Sequence, residues 1–272
     1  MDELLNALEV SKSGFHAHQH KAQRPHRQRD QELINMIKPI FEKSRRTYGS
    51  PRLCAALRAK GQRCGKNRIA RLMRQSSLHP RQKRRFRPPT TQSKHNLPLT
   101  QNWLAKVPSP DRPNQVWVVD ITYIPTAEGW LYLAALLDAC SRKIVGWSTR
   151  KDLSTALVLA AWHMATHRYP PAPGLLHHSD RGCQYASSDF QALLQKSGAC
   201  GSMSRPAHPY DNAMMESFFA TLKTECFGRF IPPTRATARL MLFDYIEGFY
   251  NTHRRHSSLG DLSPLEFEQS IS

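Results

Sequence analysis

Three carboxylates in this chain have surroundings and spacing that suit chemistry. Asp120 lies in the apolar run Val116-Trp117-Val118-Val119-Asp120-Ile121-Thr122-Tyr123-Ile124, and Asp180 in His177-His178-Ser179-Asp180-Arg181-Gly182. Glu216 lies in Tyr210-Asp211-Asn212-Ala213-Met214-Met215-Glu216-Ser217-Phe218-Phe219, and Lys223 follows seven residues later. Thirty-five residues separate Asp180 from Glu216. A carboxylate inside an apolar strand is costly unless something pairs with it, and a divalent cation is an obvious partner. Acid-only ligation, with no matching His or Cys cluster, favours Mg²⁺ or Mn²⁺ over zinc. Two such ions can activate a nucleophilic oxygen and stabilise the leaving oxygen of a phosphodiester. Lys223 falls two helical turns after Glu216, on the same face, where a cation suits a phosphate. Taken singly, each acid is more often structural than catalytic. Asp138, in Leu136-Leu137-Asp138-Ala139, competes as a buried acid that caps a turn or ends a strand.

Rigid elements must hold these side chains. Alternation and turn residues predict strands at about 116–124, 130–137 and 143–148, with Glu128-Gly129 as the first turn. A helix at about 154–167, a strand at 175–178, a helix at 188–197 and a strand at 199–203 follow. A long helix opens near Asp211 or Asn212, either of which can cap it. Hairpin-linked strands followed by alternating helices and strands predict an α/β fold with a mixed sheet. Asp120 then sits mid-strand, Asp180 at a strand's C-terminal end and Glu216 about one turn inside a helix, so all three can converge on one rim of the sheet.

Upstream, the spacing predicts a short helical pair over 3–20, a basic joint from Arg24 to Arg29, and a helix over 29–45 with Pro39 as a kink. Tyr48-Gly49-Ser50-Pro51 reads as a stop and restart, with Ser50 as the cap of a helix running to about Ala59. Lys60-Gly61 turns the chain into a helix from Lys66 to Gln75, whose outer face carries Lys66, Arg68, Arg71 and Arg74. This pair resembles a helix-turn-helix. The domain organisation expected is therefore a helical segment at 1–23, a basic helix-turn-helix module at 24–80, a basic Pro-containing linker at 81–113 and an α/β domain at 114–272.

Of 272 residues, 39 are Lys or Arg and 21 Asp or Glu, a formal net charge of +18. The first 110 residues hold 24 Lys and Arg against 6 acids, and the remainder holds 15 of each. A basic arm joined to a neutral body implies a polyanionic partner, nucleic acid above all. No apolar stretch reaches the roughly 18 residues of a membrane span, and the acidic start is unlike a signal peptide. The six cysteines show no CxxC and read as reduced, mostly buried thiols. His16, His18 and His20 alternate, but no cysteine stands at zinc-site spacing beside them.

Taken in order, these motifs resemble the second-frame (OrfB) transposases of the IS3 group of bacterial insertion sequences, members of the DDE transposase and retroviral integrase superfamily. The likeness covers nearly the whole chain. It rests on Tyr48-Gly49-Ser50-Pro51-Arg52, the strand around Asp120 (with Val119 where Thr is common), His178-Ser179-Asp180-Arg181-Gly182-Cys183-Gln184-Tyr185, Ser204-Arg205-Pro206, the run around Glu216, and Tyr250-Asn251-Thr252-His253-Arg254-Arg255-His256-Ser257-Ser258-Leu259 with Ser263-Pro264. Ala207-His208-Pro209 departs from the usual Gly-containing approach to the third acid.

The resemblance implies an RNase H-like catalytic core, with a mixed five-stranded sheet and flanking helices, behind a small all-α helix-turn-helix module. It implies DNA cleavage that frees a 3′-OH and attack of that 3′-OH on another phosphodiester, with a circular intermediate. Asp120, Asp180 and Glu216 would hold two Mg²⁺ ions, with Mn²⁺ as a substitute. Lys223, with His178, Arg181, Tyr210 and Asn212, would hold DNA near the scissile phosphate, and Arg52, Lys66, Arg68, Arg71 and Arg74 would contact double-stranded DNA at the element ends. The expected partners are end and target DNA, further copies of the chain, and a first-frame (OrfA) partner or fusion. The expected location is the bacterial cytoplasm, at the nucleoid. Two rival readings stay open: a non-catalytic DNA-binding regulator of transposition, and an RNase H-like nuclease that cuts without joining.

Overall fold

A computed structural model of the chain describes residues 11–13, 15, 25–81, 100–205 and 212–271. The helical pair expected over 3–20 and the alternating histidines therefore lie almost wholly outside the described residues. Contacts divide the chain into two units, Met1–Arg81 and Gln82–Ser272.

In the first unit, apolar residues at helical spacing close a small core. Helices α1 (Pro25–Lys43), α2 (Ser50–Ala59) and α3 (Lys66–Gln75) bury Leu33, Ile37 and Phe41, then Leu53 and Leu57, then Ile69 and Leu72. The joint expected at Arg24–Arg29 is instead helical from Pro25. A proline in the first turn loses no intrahelical hydrogen bond, so the helix can begin there. The same helix runs on through Pro39. After it, Arg45 and Arg46 turn the chain at φ 57° and 58°. Ser50 is not the cap of α2: Gly49 takes that position in extended conformation, and no side chain caps the helix. Across the α2–α3 turn, the thiols of Cys54 and Cys64 lie 3.6 Å apart. Of the six cysteines, Cys54 alone is fully buried and Cys200 is exposed, so the expectation of mostly buried thiols is corrected.

The second unit is built on a mixed sheet of order β3-β2-β1-β4-β5. Its strands are β1 (Val116–Thr126), β2 (Gly129–Asp138), β3 (Ile144–Arg150), β4 (Leu176–Ser179) and β5 (Cys200–Met203). The first three pair antiparallel, while β4 runs parallel to both β1 and β5. Helix α4 (Thr155–Arg168) crosses from β3 back to the sheet's other half, and α5 (Ser188–Lys196) joins β4 to β5. Their apolar faces close a core of Trp117, Val119, Leu136, Val145, Leu157, Trp162, Phe190 and Leu194. Gly146 lets α4 sit close against β3: a Cβ there would stand 2.5 Å from the Ala161 carbonyl.

Helices α6 (Ala213–Leu222) and α7 (Arg235–Tyr245) each run on into a π-helical turn, Lys223–Phe227 and Ile246–Tyr250 respectively. A short 3₁₀ turn and α8 (Pro264–Ile271) complete the described chain. Phe249 and Tyr250, in the second π-helical turn, are buried.

Candidate active site

The sheet's register creates the place where the acids meet. Strand β1 pairs with β4 only at Val116, Trp117 and Val118, and β4 stops at Ser179. Asp120 therefore stands just beyond the paired stretch, and Asp180 follows the end of β4. Asp120 is half-buried and accepts a hydrogen bond from the Ile121 N–H at 2.7 Å. Burial pushes its carboxyl well above the usual range, and the charge of Asp180 pushes the same way. Glu216 adds to this, while the Ile121 N–H and Lys223 oppose it. Asp180, Glu216 and Lys223 thus all act on the charge of Asp120.

Asp180 is fixed locally. Its Oδ1 accepts from the Gly182 N–H at 3.0 Å, and a Cβ on Gly182 would press on that oxygen at 3.0 Å. Glu216 is exposed at the end of the first turn of α6. Among the described residues, no three His, Cys, Asp or Glu side chains are drawn together at metal-ligating spacing. The segment that leads into α6, residues 206–211, lies outside the described residues, and Tyr210 and Asp211 with it.

Lys223 opens the π-helical turn after α6. Its ammonium lies 4.7 Å from the centroid of the Tyr123 ring on β1. Burial pulls its pKa down, and Asp120 pulls it back up. A cation thus stands over an aromatic face beside the acids. Asn212 caps nothing with its side chain, and its Oδ1 is buried without a hydrogen bond.

Two of the expected DNA contacts are engaged inside the protein. His178 is wholly buried, with Nδ1 2.8 Å from the Ser202 hydroxyl and Nε2 3.1 Å from that of Ser204. Its two ring nitrogens join β4 to β5 and the residue just after it. Arg181 is partly buried and gives its Nε–H to the Ser204 carbonyl at 2.8 Å. Asp138, the competing acid, is a structural one. It is fully buried and accepts from the Asn114, Cys140 and Ser141 N–H groups and from the Ser141 hydroxyl.

Comparison with known proteins decides the family. Residues 110–209 and 198–264 match two families described as integrase core domain, and residues 28–86 match an HTH-like domain. A 31 kDa protein of insertion element IS600 from Shigella sonnei is 42% identical, covering 96% of this chain and 95% of its own. The InsF transposase of insertion sequence IS3A from Escherichia coli K12 is 38% identical over 97% of this chain and 92% of its own. This chain belongs to the IS3 family of insertion-sequence transposases. A third such transposase, that of IS904 from Lactococcus lactis, is 40% identical over 87% of the chain and 93% of its own. Among solved structures, a chain of the simian T-cell lymphotropic virus intasome with PP2A regulatory subunit B56 gamma matches at TM-score 0.49 and 15% identity, covering 79% of this chain and 69% of that one.

In the HTH-like unit of this IS3-family transposase, the basic face of α3 is less uniform than its sequence suggests. Arg68 and Arg71 both reach back to Asp30 of α1, each at 2.7 Å. Burial disfavours the Asp30 carboxylate, but hydrogen bonds from Arg71 and Arg68 outweigh it and hold its pKa below the usual value. Lys66 and Arg74 are exposed, while Arg52 is half-buried with its guanidinium 5.8 Å from the Tyr48 ring centroid.

The pairing of several supporting residues of the transposase core was not legible in the sequence. Glu225, in the π-helical turn that Lys223 opens, accepts from Arg254 Nε at 2.7 Å, Arg254 Nη2 at 2.8 Å and the Tyr245 hydroxyl at 2.8 Å, all buried. Asn251 closes the edge of β3, accepting from the Ile144 N–H at 2.9 Å and donating to its carbonyl at 3.0 Å. The C-terminal signature thus braces the end of the helix that bears Glu216. Each of these pairs joins residues far apart in the chain, and no local pattern announces such a pair.

Proposed function

We propose that this transposase binds double-stranded DNA at the ends of its element, cleaves a strand to free a 3′-OH and transfers that end to a second phosphodiester, with Asp120, Asp180 and Glu216 as the metal-holding catalytic acids. The observation that carries this reading is the crowding of negative charge on Asp120 by Asp180 and Glu216 just beyond the end of the β1–β4 pairing. Three oxygen-donor acids, two of which raise the pKa of the third, fit a hard divalent cation, Mg²⁺ or Mn²⁺. Two such ions would polarise the attacking and leaving oxygens of the phosphodiester.

The chain's own residues supply the rest. Asp120 is held on a rigid strand and Asp180 by its bond to the Gly182 N–H, so the two carboxylates keep one spacing from turnover to turnover. Lys223, braced over Tyr123, offers positive charge to a phosphate beside the acids. Lys66, Arg74 and Arg52 of the HTH-like unit are the side chains we assign to the element ends, where phosphate contacts set position and orientation. Several copies of the chain acting together on paired DNA ends, with or without a first-frame partner, belong to the same proposal.

Glu216→Gln is expected to abolish Mg²⁺-dependent cleavage and strand transfer while leaving DNA binding intact. Cleavage retained by that variant would overturn the assignment of the acids. Cleavage without strand transfer by the unaltered chain would favour the nuclease reading, and DNA binding with neither would favour the regulator.

A further inference from the structure

The hydroxyl and imidazole groups beneath Asp180 form a chain whose direction can be derived. The Ser202 Oγ accepts hydrogen bonds from the Trp103 N–H at 2.9 Å and the Leu104 N–H at 3.3 Å. Those two bonds occupy its acceptor positions, so the hydroxyl proton is what remains for His178 Nδ1, 2.8 Å away. A neutral imidazole whose Nδ1 accepts carries its proton on Nε2. That Nε2–H then donates to the Ser204 Oγ at 3.1 Å, and the Ser204 hydroxyl donates onward to the Ser179 carbonyl at 3.2 Å.

The chain ends on both sides of Asp180. Ser179 precedes it and receives two bonds from Ser204, one from the hydroxyl and one from the N–H at 2.9 Å. Arg181 follows it and holds the Ser204 carbonyl. His178, Ser179 and Ser202 are each at most 1% exposed, and Ser204 is 8% exposed, so these bonds are shielded from water. A shielded polar network with each proton assigned fixes one geometry, because breaking any member leaves a buried group unsatisfied.

We infer that His178 is a positioning residue for the metal-holding acid Asp180: its Nε2–H tautomer, working through Ser204, sets where the Asp180 carboxylate stands relative to β5 and Asp120. This rests on the metal-site reading above. The network also gives the segment at Trp103 and Leu104 a purpose. Its side chain Trp103 is 42% exposed, and the segment docks instead through backbone N–H groups on Ser202.

The test is Mn²⁺ binding to the full chain without DNA, followed by the paramagnetic signal of free Mn²⁺, in the unaltered protein and in His178→Ala, His178→Asn, His178→Gln and Asp180→Asn. A Gln amide can reach the place of Nε2 and donate to Ser204, whereas an Asn side chain reaches only the place of Nδ1. His178→Ala and His178→Asn are expected to weaken Mn²⁺ binding about 10-fold, the usual scale for groups that orient a metal ligand, and His178→Gln to stay near the unaltered value. Gln no better than Ala, or Ala without effect while Asp180→Asn loses Mn²⁺, overturns the role of His178 alone. Unchanged binding in Asp180→Asn overturns the metal-site reading, and this inference with it. Nitrogen-15 NMR of histidine-labelled unaltered protein reads the tautomer whether or not the variants fold. A proton on Nε2 of His178 is expected, and one on Nδ1 overturns the network.

Discussion

Asp120 and Asp138 lie on adjacent strands and have opposite surroundings. Asp138 is enclosed by donors from Asn114, Cys140 and Ser141, so its carboxylate is spent on closing the β2–β3 turn. Asp120 is crowded by Asp180 and Glu216 and sits beside Lys223. Their substitutions should therefore separate stability from activity. Asp138→Asn is expected to lower the unfolding free energy by about 1–3 kcal/mol, through the donors it leaves short, in denaturant titrations. Asp120→Asn is expected to leave stability unchanged or raised when no divalent ion is present, since it removes one of three crowded charges, and to abolish cleavage. Equal destabilisation by both would remove the physical basis for treating them differently. Both acids stand in apolar runs of similar sequence. Local pattern could nominate each, and the donors around Asp138 and the charges around Asp120 distinguish them.

The elements that hold the acids depend on a few close approaches. Gly146 admits α4 to within contact of β3, with the Ala161 carbonyl and Ala165 crowding the place of a Cβ. Gly146→Ala must push helix and strand apart, and a loss of about 1–3 kcal/mol or more is expected in thermal or denaturant unfolding. The π-helical turn that follows α6 is tied by the buried Glu225–Arg254 pair to the segment beyond the second such turn. Arg254→Ala leaves Glu225 buried without its cation, and about 3–5 kcal/mol of destabilisation is expected by the same measurement. A loss well under 1 kcal/mol would mean that water reaches the pair. The order of strands and helices was legible from alternation and turn residues, and most boundaries fall within two residues of their expected places. The start of α1 at Pro25 and the π-helical turns were not legible, because proline and basic residues suit a joint as well as a first turn, and a π-helical turn has no repeating pattern of its own.

At the scale of the molecule, the net charge of +18 belongs to the first 110 residues. The HTH-like unit spends part of it internally, on Asp30. Binding to duplex DNA measured across salt concentrations should divide the α3 cations accordingly. Lys66→Ala and Arg74→Ala are each expected to lower the logarithmic salt slope by about 1, the change that follows when one phosphate is no longer neutralised by the protein. Arg68→Ala and Arg71→Ala are expected to change that slope less and to lower thermal stability more. Equal slopes for all four would mean that the Asp30 pairs open on DNA. The sequence by itself determined the order of elements, the partition of charge and the nomination of three acids, because hydrophobic period, turn chemistry and motif spacing are local properties of the chain. Tertiary structure alone decided which polar side chains remain available to a ligand. His178, Arg68, Arg71 and Asp138 all look available in the sequence, yet each is engaged by a partner from another element or turn, and burial makes such a bond expensive to break.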